Sequence, residues 1–232
     1  MKTSAFIRGA VAAVAAVALM GFAPATSLTE RDVQASNQKV AMAHAALADM
    51  WTKYFRDHGE RFIVPQIARY RGGAMSACGV MHRNNAGYCP NDNTIYFDEV
   101  FVAAQAKAAA SQLGTDGDMA AVGIIAHEMG HAVAIQLGLR SRTTYANEAT
   151  ADCLAGAFAQ DAQREGSLEQ GDLEEALFGM AAAGDPTPQL TGDDRIDRRI
   201  IRMTSAMGHG TQEQRTANFT RGFNSGTSAC IG

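Results

Sequence analysis

The sequence is short of basic residues, of cysteine and of long apolar runs, and each shortage excludes a class of protein. It has 20 Lys and Arg and 24 Asp and Glu, which gives a formal net charge of −4. A nucleic-acid binder usually has a basic excess instead. Four cysteines in 232 residues are too few for a small disulfide scaffold, although an even number suits two disulfide bonds on a formed core. Beyond the amino end, no apolar run reaches the roughly 20 residues that a membrane span needs.

The first 25 residues have the layout of a secretory signal peptide. Lys2 and Arg8 form a positive region, residues 9–22 are mostly apolar, and Ala23-Pro24-Ala25 supplies the small-x-small cleavage pattern. The apolar core is too short to span a bilayer as a helix; an uncleaved amino-terminal anchor is the alternative. We therefore predict a secreted or periplasmic protein without stable membrane insertion after cleavage, with a flexible leader over 26–36 and one domain over 37–232.

The rest of the chain predicts an α+β domain with few strands and many helices. Apolar residues spaced three and four apart predict a first helix from near Asn37 to near Gly59. Strands are predicted at 65–70 and 94–98, separated by a long loop over 72–93 that is rich in Gly and Asn. Capping residues and glycines then delimit six helices. These cover residues 100–113, a segment from Asp116 or Asp118 to about 137, and residues 145–164, 172–183 (opened by a capping box from Asp172 to Glu175), 194–207 and 212–223 (capped by Thr211 and Gln214).

The strongest chemical signal is the run His127-Glu128-Met129-Gly130-His131. Residues four apart lie on one face of an α-helix, so both imidazoles can reach one metal ion. Zinc suits them because it accepts neutral nitrogen ligands at roughly 2.0–2.1 Å. Glu128 is rotated by about 100° from His127, so it flanks the metal and can take a proton from zinc-bound water, whose pKa zinc lowers to about 7. The alternative is a buried helix whose histidines bond to carbonyls.

A third zinc ligand is predicted on the following helix. A catalytic zinc has three protein ligands and one open position. Glu148 and Asp152 are four residues apart and share a helix face. Glu148 can therefore bind zinc while Asp152 accepts a hydrogen bond from the outer nitrogen of a zinc histidine, which fixes its tautomer. The alternative is a solvated acidic face, and the small and apolar neighbours of the pair argue against it.

Two segments resemble the bacterial neutral zinc metallopeptidases, a family similar in its core to the gluzincins. They are Ala126-His127-Glu128-Met129-Gly130-His131 and Asn147-Glu148-Ala149-Thr150-Ala151-Asp152-Cys153-Leu154-Ala155-Gly156. Further matches, including Tyr88-Cys89-Pro90-Asn91-Asp92 and His209-Gly210-Thr211, extend the resemblance over about residues 51–230. The resemblance implies a zincin-like fold, mostly helical, with a small sheet beside the active-site helix. It also implies Zn²⁺ held by His127, His131 and Glu148, and peptide or protein substrates hydrolysed with Glu128 as the base.

The likeness to gluzincins also implies a substrate strand and an oxyanion donor. In gluzincin-like sites a strand beside the active-site helix pairs with extended substrate. We assign this role to Ile95, Tyr96 and Phe97, with an ordinary core strand as the alternative. His209 is the first candidate for the oxyanion donor, because it precedes a capped helix and lies in a family motif. Tyr145 is the second candidate, and a loop-bracing role is the alternative for His209.

For the cysteines we predict the pairs Cys78–Cys89 and Cys153–Cys230. The first would hold the loop before the substrate strand, and the second would tie the carboxyl-terminal tail to the helix of Glu148. Four cysteines allow three pairings. A second metal site is the alternative, but neither pair has the short C-x-x-C spacing that is usual for zinc.

Two arginines toward the carboxyl end of the chain, Arg195 and Arg215, could bind a substrate carboxylate. Ion pairs with nearby acids are the favoured interpretation. The candidate acids are Asp193, Asp194 and Glu213.

Together these residues predict an exported zinc-dependent metallopeptidase. One alternative is a zinc amide hydrolase acting on cell-wall peptides or on a deformylase-like substrate, although a deformylase is expected to use a cysteine ligand that this chain does not offer. The other is a non-catalytic exported binding or chaperone module with structural zinc, which would need no base such as Glu128. The only predicted partner is a peptide or protein substrate, and the oligomeric state is left open.

Overall fold

The computed structural model describes residues 27–231, so the predicted signal peptide lies outside the described residues. The first helix, α1 (Glu30–Asp57), starts about two turns before the predicted start near Asn37. A capping box fixes this start, because the Thr29 side chain accepts a hydrogen bond from the Asp32 N–H and the Asp32 carboxylate accepts one from the Thr29 N–H. The predicted flexible leader over 26–36 is therefore wrong from Glu30 onward.

Five short strands form two sheets in the described chain. They are β1 (Gln66–Tyr70), β2 (Gly73–Ser76), β3 (Gly79–His82), β4 (Ala86–Cys89) and β5 (Thr94–Asp98). Strand β5 lies between β1, to which it is parallel, and β4, to which it is antiparallel, while β2 and β3 form a separate hairpin. The predicted strands at 65–70 and 94–98 are confirmed as β1 and β5. The predicted loop over 72–93 is wrong, because β2, β3 and β4 gain their hydrogen bonds from pairing that local composition does not reveal.

Helices make up most of the described chain, which confirms the α+β class. After α1 they are α2 (Glu99–Leu113), α3 (Asp118–Gln136), α4 (Thr144–Arg164), α5 (Asp172–Ala182), α6 (Asp194–Met207), α7 (Gln212–Ser225) and the short α8 (Ser228–Ile231). The predicted capping box of Thr211 and Gln214 is present at the start of α7. Among residues 27–231, no helix combines the length and the apolar character required to cross a membrane.

Helix α3 is the centre of the core. Its Ile125, Met129 and Val133 have no exposed surface, and α1, α2, α4 and α5 all pack around it. From α1, the side chains of Leu47 and Trp51 are fully buried in the same cluster. Since burying one large apolar side chain stabilises a fold by about 1.5–3 kcal/mol, this packing stabilises α3 in the middle of the molecule.

The start of α3 is capped by a side chain from α5. Its N-cap is Gly117, with a positive φ of 79°, and a Cβ there would lie 2.0 Å from the Ala106 carbonyl oxygen. Glu175, fully buried, accepts hydrogen bonds from the backbone N–H groups of Gly117 (2.9 Å) and Met119 (2.8 Å). The prediction that Asp116 or Asp118 caps α3 is therefore wrong. The capping box predicted at Asp172 is also absent, because Gly171 is the N-cap of α5 and makes no side-chain bond.

Replacing Glu175 with Ala should lower the free energy of unfolding by about 3–5 kcal/mol. The change leaves two buried backbone N–H groups without an acceptor, and each charged hydrogen bond of this kind contributes about 1.5–3 kcal/mol. Urea denaturation followed by circular dichroism would measure the loss. The neighbouring Glu174 is exposed, so Glu174→Ala is the matched control and should change stability by no more than about 0.5 kcal/mol. Equal effects from the two variants would contradict the capping role.

Both predicted disulfide bonds are present. Cys78, at the turn between β2 and β3, bonds to Cys89 at the end of β4. Cys153, buried in α4, bonds to Cys230 in α8. The first bond ties the hairpin to the edge of the three-stranded sheet, and the second fixes the carboxyl end against the helix that carries Glu148. The alternative of a cysteine metal site is excluded, because all four sulfur atoms are bonded.

Candidate metal centre

Helices α3 and α4 approach each other closely where the predicted ligands lie. Gly130, between the two histidines of the motif, faces the backbone of α4, and a Cβ at this position would lie 2.7 Å from the Ala151 carbonyl oxygen. A larger residue would push the two helices apart. The glycine thus allows Glu148 on α4 to reach His127 and His131 on α3.

The three predicted ligands present their donor atoms to one point. Nε2 of His127 lies 3.1 Å from Nε2 of His131 and 3.1 Å from Oε2 of Glu148, and His131 Nε2 lies 3.4 Å from Oε1 of Glu148. A tetrahedral ion with bonds of about 2.0–2.1 Å separates its ligand atoms by about 3.3 Å. The spacing and the nitrogen and oxygen donors therefore fit a zinc ion.

Asp152 contacts the outer nitrogen of His127, where the sequence placed it. Its Oδ1 lies 2.8 Å from His127 Nδ1, and the Asp152 side chain is completely buried. A proton on Nδ1 that is donated to Asp152 leaves the lone pair of Nε2 directed toward Glu148 and His131. This contact selects the tautomer that can bind a metal.

Arg215 on α7 completes this network, in a position that the sequence does not predict. Its guanidinium is buried and donates to Asp152 Oδ1 at 2.7 Å and to the Ala183 carbonyl at 3.1 Å. The predicted pairing of Arg215 with Glu213 or a neighbouring acid is wrong, because the side chain turns into the core. Although burial opposes the charge, Asp152 raises the pKa of Arg215. The arginine therefore stays cationic and holds the carboxylate that orients His127.

The charges around the three donor atoms favour a cation. Burial opposes protonation of His127, but hydrogen bonds with Asp152 and Glu148 outweigh it and raise the pKa of His127 to about 10. Burial also opposes ionisation of Glu148, but its bonds with His127 and His131 outweigh it and hold the pKa of Glu148 far below its usual range. The two carboxylates therefore stabilise positive charge at His127, and a metal ion bound at Nε2 in place of a proton would supply that charge.

An open cleft of about 620 Å³ contains the donor atoms and Glu128. Asn85 and the first three residues of β4 form one wall, and α3 and α4 form the floor. Glu128 is 8% exposed, and its Oε2 accepts a hydrogen bond from the Tyr88 N–H at 2.9 Å. The carboxylate therefore lies between the metal ligands and the edge of the sheet, where it can contact a bound substrate.

The assignment of Ile95, Tyr96 and Phe97 as the substrate strand is wrong. These residues belong to β5, whose two edges are already paired with β1 and β4. A strand with two neighbours has no free main-chain groups to offer a peptide. The free edge beside the cleft belongs instead to β4, which lies within the predicted loop over 72–93.

The two predicted oxyanion donors differ in position. His209 lines the cleft with an exposed side chain, and its loop is held by Asp185, whose Oδ2 accepts the backbone N–H groups of His209 (2.5 Å) and Gly210 (3.2 Å). Tyr145 packs against Gly210, where a Cβ would lie 3.0 Å from its ring, and it does not line the cleft. Of the two candidates, only His209 lines the cleft.

An H-E-x-x-H helix with a third candidate ligand on the next helix is the arrangement of a metallopeptidase-type zinc site. The chain belongs to the family described as "Putative neutral zinc metallopeptidase", whose model matches residues 15–231. This confirms the family predicted from the motifs.

Two relatives show how far the likeness extends. The chain is 34% identical over 201 residues to "Uncharacterized protein YpfJ" of Escherichia coli strain K12, a match that covers 80% of this chain and 67% of that protein. It is 29% identical over 186 residues to "Uncharacterized protein Rv2575" of Mycobacterium tuberculosis strain H37Rv, covering 70% of this chain and 59% of that protein. The chain thus spans less than two thirds of the mycobacterial relative. No solved structure matches it significantly.

Proposed function

We propose that this protein is an exported zinc-dependent metallopeptidase that hydrolyses peptide bonds. The observation that carries the proposal is the convergence of His127, His131 and Glu148 within 3.1–3.4 Å of one another, with Glu128 in the same open cleft. A purely structural metal site would need neither the open cleft nor the additional carboxylate. Family membership supports the same class of chemistry.

In this proposal His127, His131 and Glu148 would hold zinc. When bound, zinc supplies a Lewis acid that polarises the substrate carbonyl and lowers the pKa of a coordinated water to about 7. The positioning of the ligands comes from the chain itself. Asp152 sets the tautomer of His127, and Arg215 holds Asp152 in place.

Glu128 would move the proton. As general base it accepts a proton from the attacking water, and as general acid it delivers that proton to the amine that leaves when the peptide bond breaks. Its neighbour supports this role, since the Tyr88 N–H holds one carboxylate oxygen at 2.9 Å and leaves the other available to water. Glu128 also lines the cleft, so it can contact water and substrate there.

Strand β4 would bind the substrate backbone. The Tyr88 N–H points away from β5, since it bonds to Glu128 on α3. Alternate residues of an antiparallel strand face the same way, so the N–H and C=O of Ala86 also face the cleft. An extended peptide could pair with this edge by strand addition, which would place its backbone beside Glu128. The disulfide bond at Cys89 keeps this edge in position.

The test is cleavage by the purified chain starting at Thr26. We would incubate it with an unbiased peptide library and, separately, with isolated cell wall, and map the products by mass spectrometry. The proposal expects cleavage within library peptides, complete loss after chelation and recovery with added zinc. Products from cell wall alone would assign an amide hydrolase instead. Stoichiometric zinc binding without any hydrolysis would point to a non-catalytic module and contradict the proposal.

Replacing His209 with Ala should lower kcat by about 10²–10³-fold, the usual effect of removing one oxyanion donor. KM and zinc content should change little, because the side chain is exposed and is not among the candidate ligands. Tyr145→Phe removes one hydroxyl group and is the matched comparison, with near wild-type kcat expected. Steady-state kinetics on one library-derived peptide would measure both. The reverse ranking would assign the oxyanion role to Tyr145.

A further inference from the structure

Helix α6 (Asp194–Met207) is more exposed than the other long helices of the described chain, each of which has several buried residues. None of its described side chains is buried, although the helix packs against α4. Its N-cap is Asp193, which accepts the backbone N–H groups of Arg195 and Ile196. The helix is thus well formed at its start and presents most of its surface to the surroundings.

One face of α6 is an apolar stripe. Ile196, Ile200, Met203 and Met207 follow one another at spacings of four, three and four residues, so they align along the helix. Ile196 is 49% exposed, Met203 53% and Met207 72%, whereas Ile200 is half-buried. We call these four residues the α6 stripe. A row of large apolar side chains at this exposure is unfavourable in water unless something covers it.

Four arginines flank the stripe on one side. At about 100° per residue, they lie between about 60° and 160° from Ile196 around the helix axis. Only Arg198 has a carboxylate within ion-pair distance among the described residues, Asp194 at 3.8 Å, and both side chains are exposed. Asp197 is occupied by hydrogen bonds from Thr191 and Gly192. The α6 arginines are Arg195, Arg198, Arg199 and Arg202.

We propose that α6 binds the surface of an anionic lipid membrane, with the α6 stripe among the acyl chains and the α6 arginines on the headgroups. A helix with an apolar face and a basic polar face lies in the plane of the interface in this way. Arg195, Arg199 and Arg202 have no ion-pair partner among the described residues, and this basic face, in a chain whose formal net charge is −4, complements an anionic surface. Nucleic acid would match the arginines but would leave the apolar stripe uncovered.

Binding of α6 to a membrane would fix the orientation of the cleft relative to the lipid surface. His209, which lines the cleft, follows the last residue of α6 by two positions. Asp185 holds the same loop through the backbone of His209 and Gly210. A membrane bound at α6 would therefore lie near one end of the cleft, where it could present polypeptide segments that emerge from the lipid surface. The binding itself does not depend on the proposed peptidase activity.

The experiment is cosedimentation with vesicles, using the chain from Thr26, which contains every described residue and lacks the apolar amino end. We expect binding to vesicles of phosphatidylethanolamine and phosphatidylglycerol (3:1), weakened by salt, and little binding to pure phosphatidylcholine. The double variant Ile196→Asn/Met203→Asn should bind about tenfold more weakly per removed side chain. Arg199→Gln/Arg202→Gln should bind roughly fivefold more weakly per arginine.

Ile201 supplies the matched control. It is 49% exposed, like Ile196, but lies about 140° from it around the helix, so Ile201→Asn should bind as the wild type does. Unchanged thermal midpoints and zinc contents would show that each variant is folded. Absence of binding to the anionic vesicles, or equal loss in the Ile201 variant, would overturn the proposal. A lipid-free dimer that sedimentation velocity detects in the wild type and not in Ile196→Asn/Met203→Asn would overturn it too, since a second copy would then cover the stripe.

Discussion

Replacing Glu128 with Gln should lower kcat/KM for peptide cleavage by about 10²–10⁴-fold, the contribution of a positioned general base and acid, while zinc remains bound. Glutamine has the shape of glutamate, and its amide oxygen can still accept the hydrogen bond from the Tyr88 N–H. It cannot accept a proton from water near neutral pH. The loss should therefore fall on catalysis alone, which steady-state kinetics and metal analysis of the same preparation would separate.

Glu148→Gln is the matched comparison, since both glutamates are buried to a similar degree, 8% and 9% exposed. Glu148 lies 3.1 Å from His127 Nε2 and 3.4 Å from His131 Nε2, so its substitution should reduce zinc affinity by more than the 10–100-fold typical of an outer hydrogen-bond partner. Only this variant should regain activity with excess zinc. Wild-type turnover in Glu128→Gln, or loss of zinc from this variant, would contradict the role of Glu128 as general base and acid.

The local part of this site could be predicted from the sequence because helix geometry determines it. Two histidines four residues apart share a face, and so do Glu148 and Asp152, whatever the rest of the fold does. A helix start is also predictable where its cap is short-range, as for Thr211 with Gln214, but not where the cap comes from another helix, as Glu175 does for α3. The start of α1 was missed, since its capping box has Asp32 at the third position in place of the usual Glu or Gln.

The non-local part could not be predicted from periodicity. Arg215 meets Asp152 across 63 positions and Glu175 meets Gly117 across 58, and no spacing rule connects such pairs. The same holds for the order of strands. The sequence of β5 shows that it is buried, but not that both its edges are paired, so the free edge was assigned to the wrong strand. Strand β4 contains Gly87 and Cys89 and has no clear alternation, which hid the edge that faces the cleft.

Substitution of Arg215 therefore tests the part of the site that the sequence does not predict. Replacing it with Met should lower the free energy of unfolding by about 3–5 kcal/mol, because Asp152, with no exposed surface, would be left as an unpaired buried charge. Methionine is long and apolar, so the effect should come from the lost charge and hydrogen bonds and not from a cavity. Urea denaturation would measure it, and titration with zinc should show an affinity reduced by about 10–100-fold as His127 loses its fixed orientation.

The double variant Asp152→Asn/Arg215→Met separates the two roles of this pair. Removing both charges should restore much of the stability that Arg215→Met alone loses, since no uncompensated charge remains in the core. Zinc affinity should stay low, because an amide holds His127 Nδ1 less strongly than the carboxylate that lies 2.8 Å away in the wild type. Recovery of zinc affinity together with stability would mean that Arg215 and Asp152 only support the fold. Recovery of stability alone would show that the pair positions the histidine for the metal.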